Sequence, residues 1–324
     1  MSKDDTLQPF APGDIFLGLT ELNDPTDDHA GPGRILQYDK AMRLKGTLWT
    51  KGGRHLVGGL NFDRNGVLWA FNDLAVIHVD PKSGLQLPLS DKFLPRVCRS
   101  ASFARDGTVY LGEHILARDP PPGIEKRTTI KFPRTPDTGV LGHGNIYQYD
   151  RDWNLRNVFD VAHCPEPTGF KGVTHSTLHP SDRFITYMAE TSKKIMRFDV
   201  INGRQMEDLL VYPGTEITDG VWGIALRYLP DGRLLVTRGK SMDLLDEEGR
   251  VLREYPLGDG YGWAEIAVCS DPRFVLVASI WTGIAVRLDL ESGEVVGSID
   301  TGYTAPRRSL AGIAEFPGQT STKP

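Results

Sequence analysis

The chain has 324 residues, of which 40% are hydrophobic and 24% charged, and a formal net charge of −5 at pH 7. Binding a nucleic acid requires clustered Lys and Arg, and no basic run is longer than a pair, so a nucleic acid is excluded as the main partner. The first ten residues are polar, and no segment approaches the roughly 18 apolar residues of a spanning helix. We therefore predict a cytoplasmic protein that does not associate with a membrane.

The three cysteines, Cys98, Cys164 and Cys269, are an odd number at scattered spacing. A disulfide framework or a cysteine-based zinc site usually needs paired spacings, so neither is expected.

In chain order, the recurring element is a short hydrophobic run that ends in aspartate and leads into a polar turn. It occurs six times, ending at Asp39, Asp80, Asp150, Asp199, Asp246 and Asp289. Most of these aspartates are about 40 to 50 residues apart, which is the period of a four-stranded propeller blade. The wider gap between Asp80 and Asp150 predicts an insertion.

Each repeat is predicted to contain four strands, A to D, with the repeated aspartate at the end of strand C. There its carboxylate can cap the next turn through a local backbone hydrogen bond. The turn between strands A and B has its own signature, such as DRNG at 63–66 and ARDG at 104–107, because Asn-Gly and Asp-Gly favour tight hairpins. Complete blades are predicted at about 56–90, 97–161, 173–212, 221–257 and 263–300.

The sixth blade is predicted to be split between the chain ends. Residues 14–50 supply strands B, C and D, and residues 309–316 supply strand A. Joining them closes the ring and removes sheet edges that would otherwise invite aggregation. We predict an all-β protein, a six-bladed β-propeller of four-stranded antiparallel blades, in one domain that spans 1–324.

This blade pattern resembles the six-bladed β-propeller superfamily, which includes NHL-repeat, gluconolactonase-like, strictosidine-synthase-like and virginiamycin-lyase-like proteins. The resemblance covers nearly the whole chain, but only in the pattern of blades. The Gly-His and Trp-Asp signatures of WD40 repeats are absent. The ordered Glu, Asn and Asp metal set of gluconolactonases is not seen in its usual contexts either, so no specific family is assigned.

In a propeller, strand A starts and strand B ends on the same face, which is the usual binding face. Counting residues back from the turns between strands A and B places Arg99, His175 and Glu265 at equivalent positions of their A strands. Trp222 lies close to the corresponding position in its blade. The ends of the B strands bring further side chains to this face: Asn72, Glu113, His114, Glu190, Arg238 and Trp281.

Three interpretations of these polar residues stay open. In the first, His175, Glu265 and Glu113 carry acid–base catalysis without a metal. In the second, His114, His175, Glu190 and Glu265 hold one divalent ion, Ca²⁺, Mg²⁺ or Zn²⁺, which polarises a carbonyl group. In the third, they are separate polar residues that line a wet channel.

Arg99 and Arg238 are candidates for holding a substrate carboxylate or phenolate in a fork of hydrogen bonds; alternatively, each neutralises a neighbouring Glu. Trp222 and Trp281 offer aromatic surface for a planar ligand, or they pack between blades. Asn72 is a further candidate for binding the substrate.

The insertion at about 115–144 falls between strands B and C of its blade. It is long, basic and rich in proline, which is typical of lids and binding loops. His143 at its end is a candidate substrate-binding residue. The alternative is a surface loop or a contact between subunits, and the sequence does not decide the oligomeric state.

The sequence thus predicts an enzyme that acts on a carbonyl compound in the central channel, by lactone or ester hydrolysis, lyase or isomerase chemistry. The substrate would be a small molecule that is anionic or aromatic. No P-loop, dinucleotide fingerprint, GxSxG or HExxH motif occurs, so no nucleotide cofactor is expected. The alternative is a non-catalytic propeller that senses a ligand or scaffolds a protein partner.

Overall fold

The computed structural model describes most of the chain, namely residues 4–21, 31–52, 57–72, 75–94, 96–115, 144–163, 171–190, 192–213, 223–258, 262–302 and 310–318. These residues contain no helix with the length and apolarity needed to cross a membrane. The chain divides into two compact units, Met1–Asp91 with Glu265–Pro324, and Lys92–Ala264, and each is described by itself.

The first unit contains three antiparallel sheets, and the first strand of the third sheet begins at the unit boundary. Their strands, in sheet order, are β25 (Leu310–Glu315), β1 (Ile15–Thr20), β2 (Gly33–Tyr38) and β3 (Leu44–Trp49); β4 (Val57–Phe62), β5 (Leu68–Asn72) and β6 (Ala75–Val79); and β21 (Trp263–Val268), β22 (Phe274–Ser279), β23 (Ile284–Asp289) and β24 (Val295–Asp300).

The second unit also contains three antiparallel sheets. Their strands are β7 (Cys98–Phe103), β8 (Val109–Ile115), β9 (Ile146–Tyr149), β10 (Leu155–Phe159) and β11 (Lys171–Gly172); β12 (His175–Leu178), β13 (Phe184–Met188), β14 (Lys194–Asp199), β15 (Arg204–Gln205) and β16 (Leu210–Val211); and β17 (Gly223–Tyr228), β18 (Leu234–Arg238), β19 (Ser241–Leu245) and β20 (Val251–Pro256).

The six sheets are the blades of a six-bladed β-propeller, which confirms the predicted fold class. We number the blades in chain order, beginning with the one that contains β1. In this first blade β25 pairs antiparallel with β1, with Leu17 opposite Ile313. The two chain ends therefore share one blade, as predicted, and the inner edge of β1 is covered.

In two blades the outermost strand, strand D, is not a single full-length strand. In the second blade it is a single bridge between Val79 and Gln86, close to Pro88, which has no backbone N–H to donate to a ladder. Gln86 instead uses its side-chain amide, which bonds both the N–H and the carbonyl of Lys51 at 2.9 Å. In the fourth blade the outermost position is divided between β15 and β16.

All six repeated aspartates cap the turn that follows strand C. Asp39 Oδ1, for example, accepts the N–H groups of Ala41 at 2.9 Å and Arg43 at 3.0 Å. The other five accept the corresponding backbone N–H groups in their own turns. The sequence signature is thus a structural one, because the carboxylate satisfies donors that a tight turn leaves unpaired.

These six turns alternate between two types along the chain. In the first, third and fifth blades the residue with left-handed backbone lies three positions after the aspartate: Met42, Trp153 and Gly249. In the second, fourth and sixth blades it lies four positions after it: Gly84, Gly203 and Gly293. Glycine occupies every turn of the longer type, because it adopts positive φ without steric cost.

Hydrophobic side chains from the sheet faces form the core of each unit. In the first unit Ile15, Leu17 and Leu19 pack in one cluster with Leu310 and Ile313. In the second unit Tyr187, Met196 and Phe198 belong to one cluster. Cys98 and Cys269 are buried free cysteines, and burial raises the pKa of both thiols.

Candidate functional site

The segment that leads into β12 is hydrogen-bonded to the strand ends of two blades in the second unit. Gly172 of β11 lies opposite His114 of β8, and Val173 N–H donates to the carbonyl of Glu113 at 2.8 Å. Thr174 N–H donates to the carbonyl of Met188 at 2.9 Å. The end of β8, the start of β12 and the end of β13 therefore lie side by side.

Thr174 connects two of the predicted site residues. Its fully buried hydroxyl accepts the backbone N–H of Glu190 at 2.6 Å and lies 2.8 Å from Nδ1 of His114. The hydroxyl can donate its own proton to Nδ1, which leaves the proton of a neutral imidazole on Nε2. Thr174 was not among the predicted site residues, because threonine is an ordinary residue in a strand.

His175 is the first residue of β12 and is only 5% exposed. Burial lowers its pKa well below the usual value, and the charges of Arg99, Arg227 and His114 lower it further. The imidazole is therefore neutral at pH 7. Arg227, on β17, was not among the predicted site residues, because counting from the turns places it closer to the opposite end of its strand.

Arg99 and Glu190 form a buried ion pair. Nη1 of Arg99 lies 3.7 Å from Oε2 of Glu190, and the side chains are 12% and 5% exposed. This distance is too long for a hydrogen bond. Nε of Arg99 is buried, and none of the described residues accepts a hydrogen bond from it.

Glu113 accepts two hydrogen bonds, forms an ion pair with Arg96 and is 1% exposed. Its Oε2 accepts the N–H of Gly144 at 3.0 Å and the hydroxyl of Tyr147 at 2.7 Å, and Nε of Arg96 lies 3.5 Å from Oε1. Burial and the charge of Glu113 raise the pKa of Tyr147, so its phenol stays protonated and donates. The carboxylate thereby anchors the point where the chain returns from the insertion.

Arg238 is paired with a carboxylate that the sequence did not suggest. Its Nη1 donates to Oδ2 of Asp243 at 2.9 Å, and Tyr212 donates its hydroxyl to the same oxygen at 3.2 Å. The guanidinium group also lies 4.5 Å from the centre of the Tyr212 ring. Of the two interpretations of Arg238, the geometry matches the one in which it neutralises a neighbouring acid, although that acid is an Asp.

The remaining predicted residues belong to the first unit or fall outside the described residues. Glu265 is buried on β21, Asn72 ends β5 and donates to Oγ1 of Thr50 at 2.9 Å, and Trp281 is partly exposed in the turn after β22. All three belong to the first unit. His143 and Trp222 lie outside the described residues, and so does the insertion between 116 and 143.

No group of three or more His, Cys, Asp or Glu side chains among the described residues is arranged so that it could hold a metal ion. The second unit thus brings together His114, His175, Glu190 and Arg99 as an acid–base and ion-pair cluster. We call these four residues, with Thr174 and Arg227, the His175 cluster. The divalent ion stays a prediction.

Comparisons with known proteins identify the fold and no family. No family model matches the chain, and no curated protein matches it. Among solved structures, the chain is similar to one described as a nidogen/laminin complex, with a TM-score of 0.62, 13% identity, and 95% of this chain and 100% of that chain covered. It is also similar to a protein of unknown function from Bacteroides caccae, with a TM-score of 0.58, 11% identity and the same coverage.

Proposed function

We propose that the chain is an enzyme that acts on a small carbonyl compound, with His175 as the residue that moves the proton. The reaction class is hydrolysis of a lactone or ester, elimination, or isomerisation. The observation that carries the proposal is the buried imidazole of His175, whose pKa is lowered by burial and by the charges of Arg99, Arg227 and His114.

A neutral imidazole can accept a proton from carbon or from water, whereas an imidazolium cannot. The low pKa makes His175 a weak base before the reaction starts. As negative charge develops on the substrate oxygen, that charge offsets the two arginines and raises the pKa of His175, so the base becomes stronger along the reaction.

The net charge of the His175 cluster also stabilises the negative charge that develops on the substrate during the reaction. Two guanidinium groups and the carboxylate of Glu190 sum to one positive charge, while both histidines can be neutral. In a site with little water, such fixed charge stabilises an enolate or oxyanion more strongly than water would. Thr174 and His114 are proposed to position the cluster, because the Thr174 hydroxyl joins the His114 ring to the backbone of Glu190.

The test is turnover of a panel of lactones, esters and enolisable carbonyl compounds by wild type and by His175→Gln. Loss of the general base is expected to lower kcat by about 10² to 10⁴, while circular dichroism and the thermal midpoint show that the variant folds. His179→Asn is the matched control. His179 caps the turn between β12 and β13 through Nδ1, and asparagine retains an acceptor there. Unchanged activity in His175→Gln would contradict the proposal.

A second candidate is a non-catalytic propeller that senses a ligand or scaffolds a protein partner. The engagement of Glu113 by Arg96, Gly144 and Tyr147 favours it, since a carboxylate held in this way is not available for proton transfer. A ligand that binds the wild-type protein but is recovered unchanged after prolonged incubation would support this candidate. In either case we propose a cytoplasmic protein, in which Cys98 and Cys269 stay as free thiols.

A further inference from the structure

The two edges of the Arg99 guanidinium group differ in their surroundings. Nη1 faces Glu190, whereas Nε lies on the opposite edge of the group, together with Nη2. Nε is buried and, within the described part of the chain, has no hydrogen-bond partner. A buried donor without an acceptor is unfavourable, so a ligand that supplied an acceptor at this edge would remove that cost.

The chemistry of this edge suits a carboxylate. The parallel N–H groups of an arginine edge match the two oxygens of a carboxylate in a bidentate pair. Glu190 does not form such a bidentate pair in the structure, because its Oε2 lies 3.7 Å from Nη1, which is too far for a hydrogen bond. Glu190 therefore interacts with Arg99 only as a long ion pair, and among the described residues none supplies an acceptor at Nε.

We infer that the His175 cluster binds the carboxylate of a small organic acid at the Nε edge of Arg99. This inference rests on the proposed function and narrows its substrate class to carbonyl compounds that also carry a carboxylate. The charges of Arg99 and of Arg227, on β17, both act on the His175 imidazole, so a substrate with its carboxylate on Arg99 would place its carbonyl group near His175.

The charge balance favours a monoanion. Arg99, Arg227 and Glu190 together leave one positive charge, which a carboxylate neutralises. A phosphate carries up to two negative charges at neutral pH and would leave the buried cluster with an excess of negative charge beside Glu190, which is unfavourable where few water molecules screen it.

The test is a titration of the full chain with sodium acetate, acetamide and inorganic phosphate, at constant ionic strength and pH 7. The ring nitrogens of ¹⁵N-labelled histidines are followed by NMR, and the His175 signals are identified by their absence in His175→Gln. Acetamide has the shape of acetate without its charge, so it controls for non-specific contact. Acetate is expected to shift the His175 signals in a saturable manner, and acetamide and phosphate are expected to bind more weakly.

Two variants and one control separate the contributions of Arg99 and Glu190 to acetate binding. Arg99→Lys keeps the charge but removes the planar edge, and is expected to weaken acetate binding about tenfold, the equivalent of one charge-assisted hydrogen bond. Glu190→Gln removes the competing carboxylate and is expected to strengthen acetate binding at least about threefold. Its backbone bond to Thr174 does not depend on the side chain, so it is expected to fold. Arg204→Gln removes a positive charge from an exposed side chain of the same unit and is expected to leave binding unchanged.

Several results would overturn the inference: equal binding of acetate and acetamide, tighter binding of phosphate, no effect of Arg99→Lys, or weaker binding in Glu190→Gln. Turnover of neutral carbonyl compounds without any acetate binding would reject the carboxylate site and leave the enzyme proposal intact. Acetate binding with this variant pattern, in a protein that turns over no carbonyl compound, would retain the site and reject the enzyme proposal.

Discussion

At the residue scale, the two arginines proposed for the substrate have different surroundings in the structure. Arg238 is committed to Asp243, whose carboxylate is completely buried, and its guanidinium group stacks on Tyr212. Arg99 has a longer ion pair and a buried Nε without an acceptor. The first arrangement is typical of a structural ion pair, and the second leaves one edge of the guanidinium group for a ligand.

Arg238→Met is therefore expected to destabilise the protein by about 3 kcal/mol, because it leaves the Asp243 charge buried without its cation. Urea unfolding at pH 7 measures the change. The double variant Arg238→Met with Asp243→Asn removes the uncompensated charge and should recover part of the loss. A single variant within about 0.5 kcal/mol of wild type would show that the pair is not structural.

At the scale of the element, the turns that follow strand C depend on ionised aspartates. Asp150 accepts N–H groups from Asp152 and Asn154, and Arg156 donates to it. The backbone bond from Asn154, with further help from the Asn154 and Arg156 side chains, lowers its pKa from 3.8 to about 2. Its counterpart in the fifth blade, Asp246, also has a lowered pKa, owing to its bonds with Arg250.

Because these folded-state pKa values lie below the unfolded ones, the unfolded chain takes up protons first as the pH falls. The stability that Asp150 contributes is present above pH 3.8, and is lost as the pH falls through about 2. The difference in unfolding free energy between wild type and Asp150→Asn should therefore shrink from pH 6 to pH 2. Urea unfolding across this range measures it, and Asp246→Asn should show the same trend. A difference that does not change with pH would contradict the role of the charge.

At the scale of the whole molecule, the turn aspartate repeats in every blade, whereas the polar residues of the His175 cluster do not. All six blades carry the turn aspartate, whereas the His175 cluster draws on the third, fourth and fifth blades only. Closure by the chain ends, in contrast, belongs to the first blade, where β25 supplies Leu310 and Ile313 to the core. Closure by the chain ends and the proposed function therefore depend on different blades.

A chain that ends at residue 309 lacks β25, exposes the edge of β1 and loses three large buried side chains, Leu310, Ile313 and Phe316, which each contribute about 2 kcal/mol. We expect a much lower thermal midpoint and aggregation in size-exclusion chromatography. A chain that ends at residue 318 retains β25 and is the matched control. If both chains behaved like the full-length protein, the shared blade would not be needed for stability.

The sequence by itself determined the number of blades, the split first blade and the capped turns, because a turn aspartate, an Asp-Gly hairpin and a blade period are local features that repeat. It also indicated Arg99, His114, His175 and Glu190. Only the tertiary structure decided which charges pair, and it added Thr174 and Arg227. The physical reason is register: β7 has a bulge between Cys98 and Ala101 that β12 lacks, and a shift of one residue turns side chains to the other face of a sheet. Counting residues from the turns in the sequence cannot detect that shift, because the bulge is a feature of how β7 pairs with β8 in the fold.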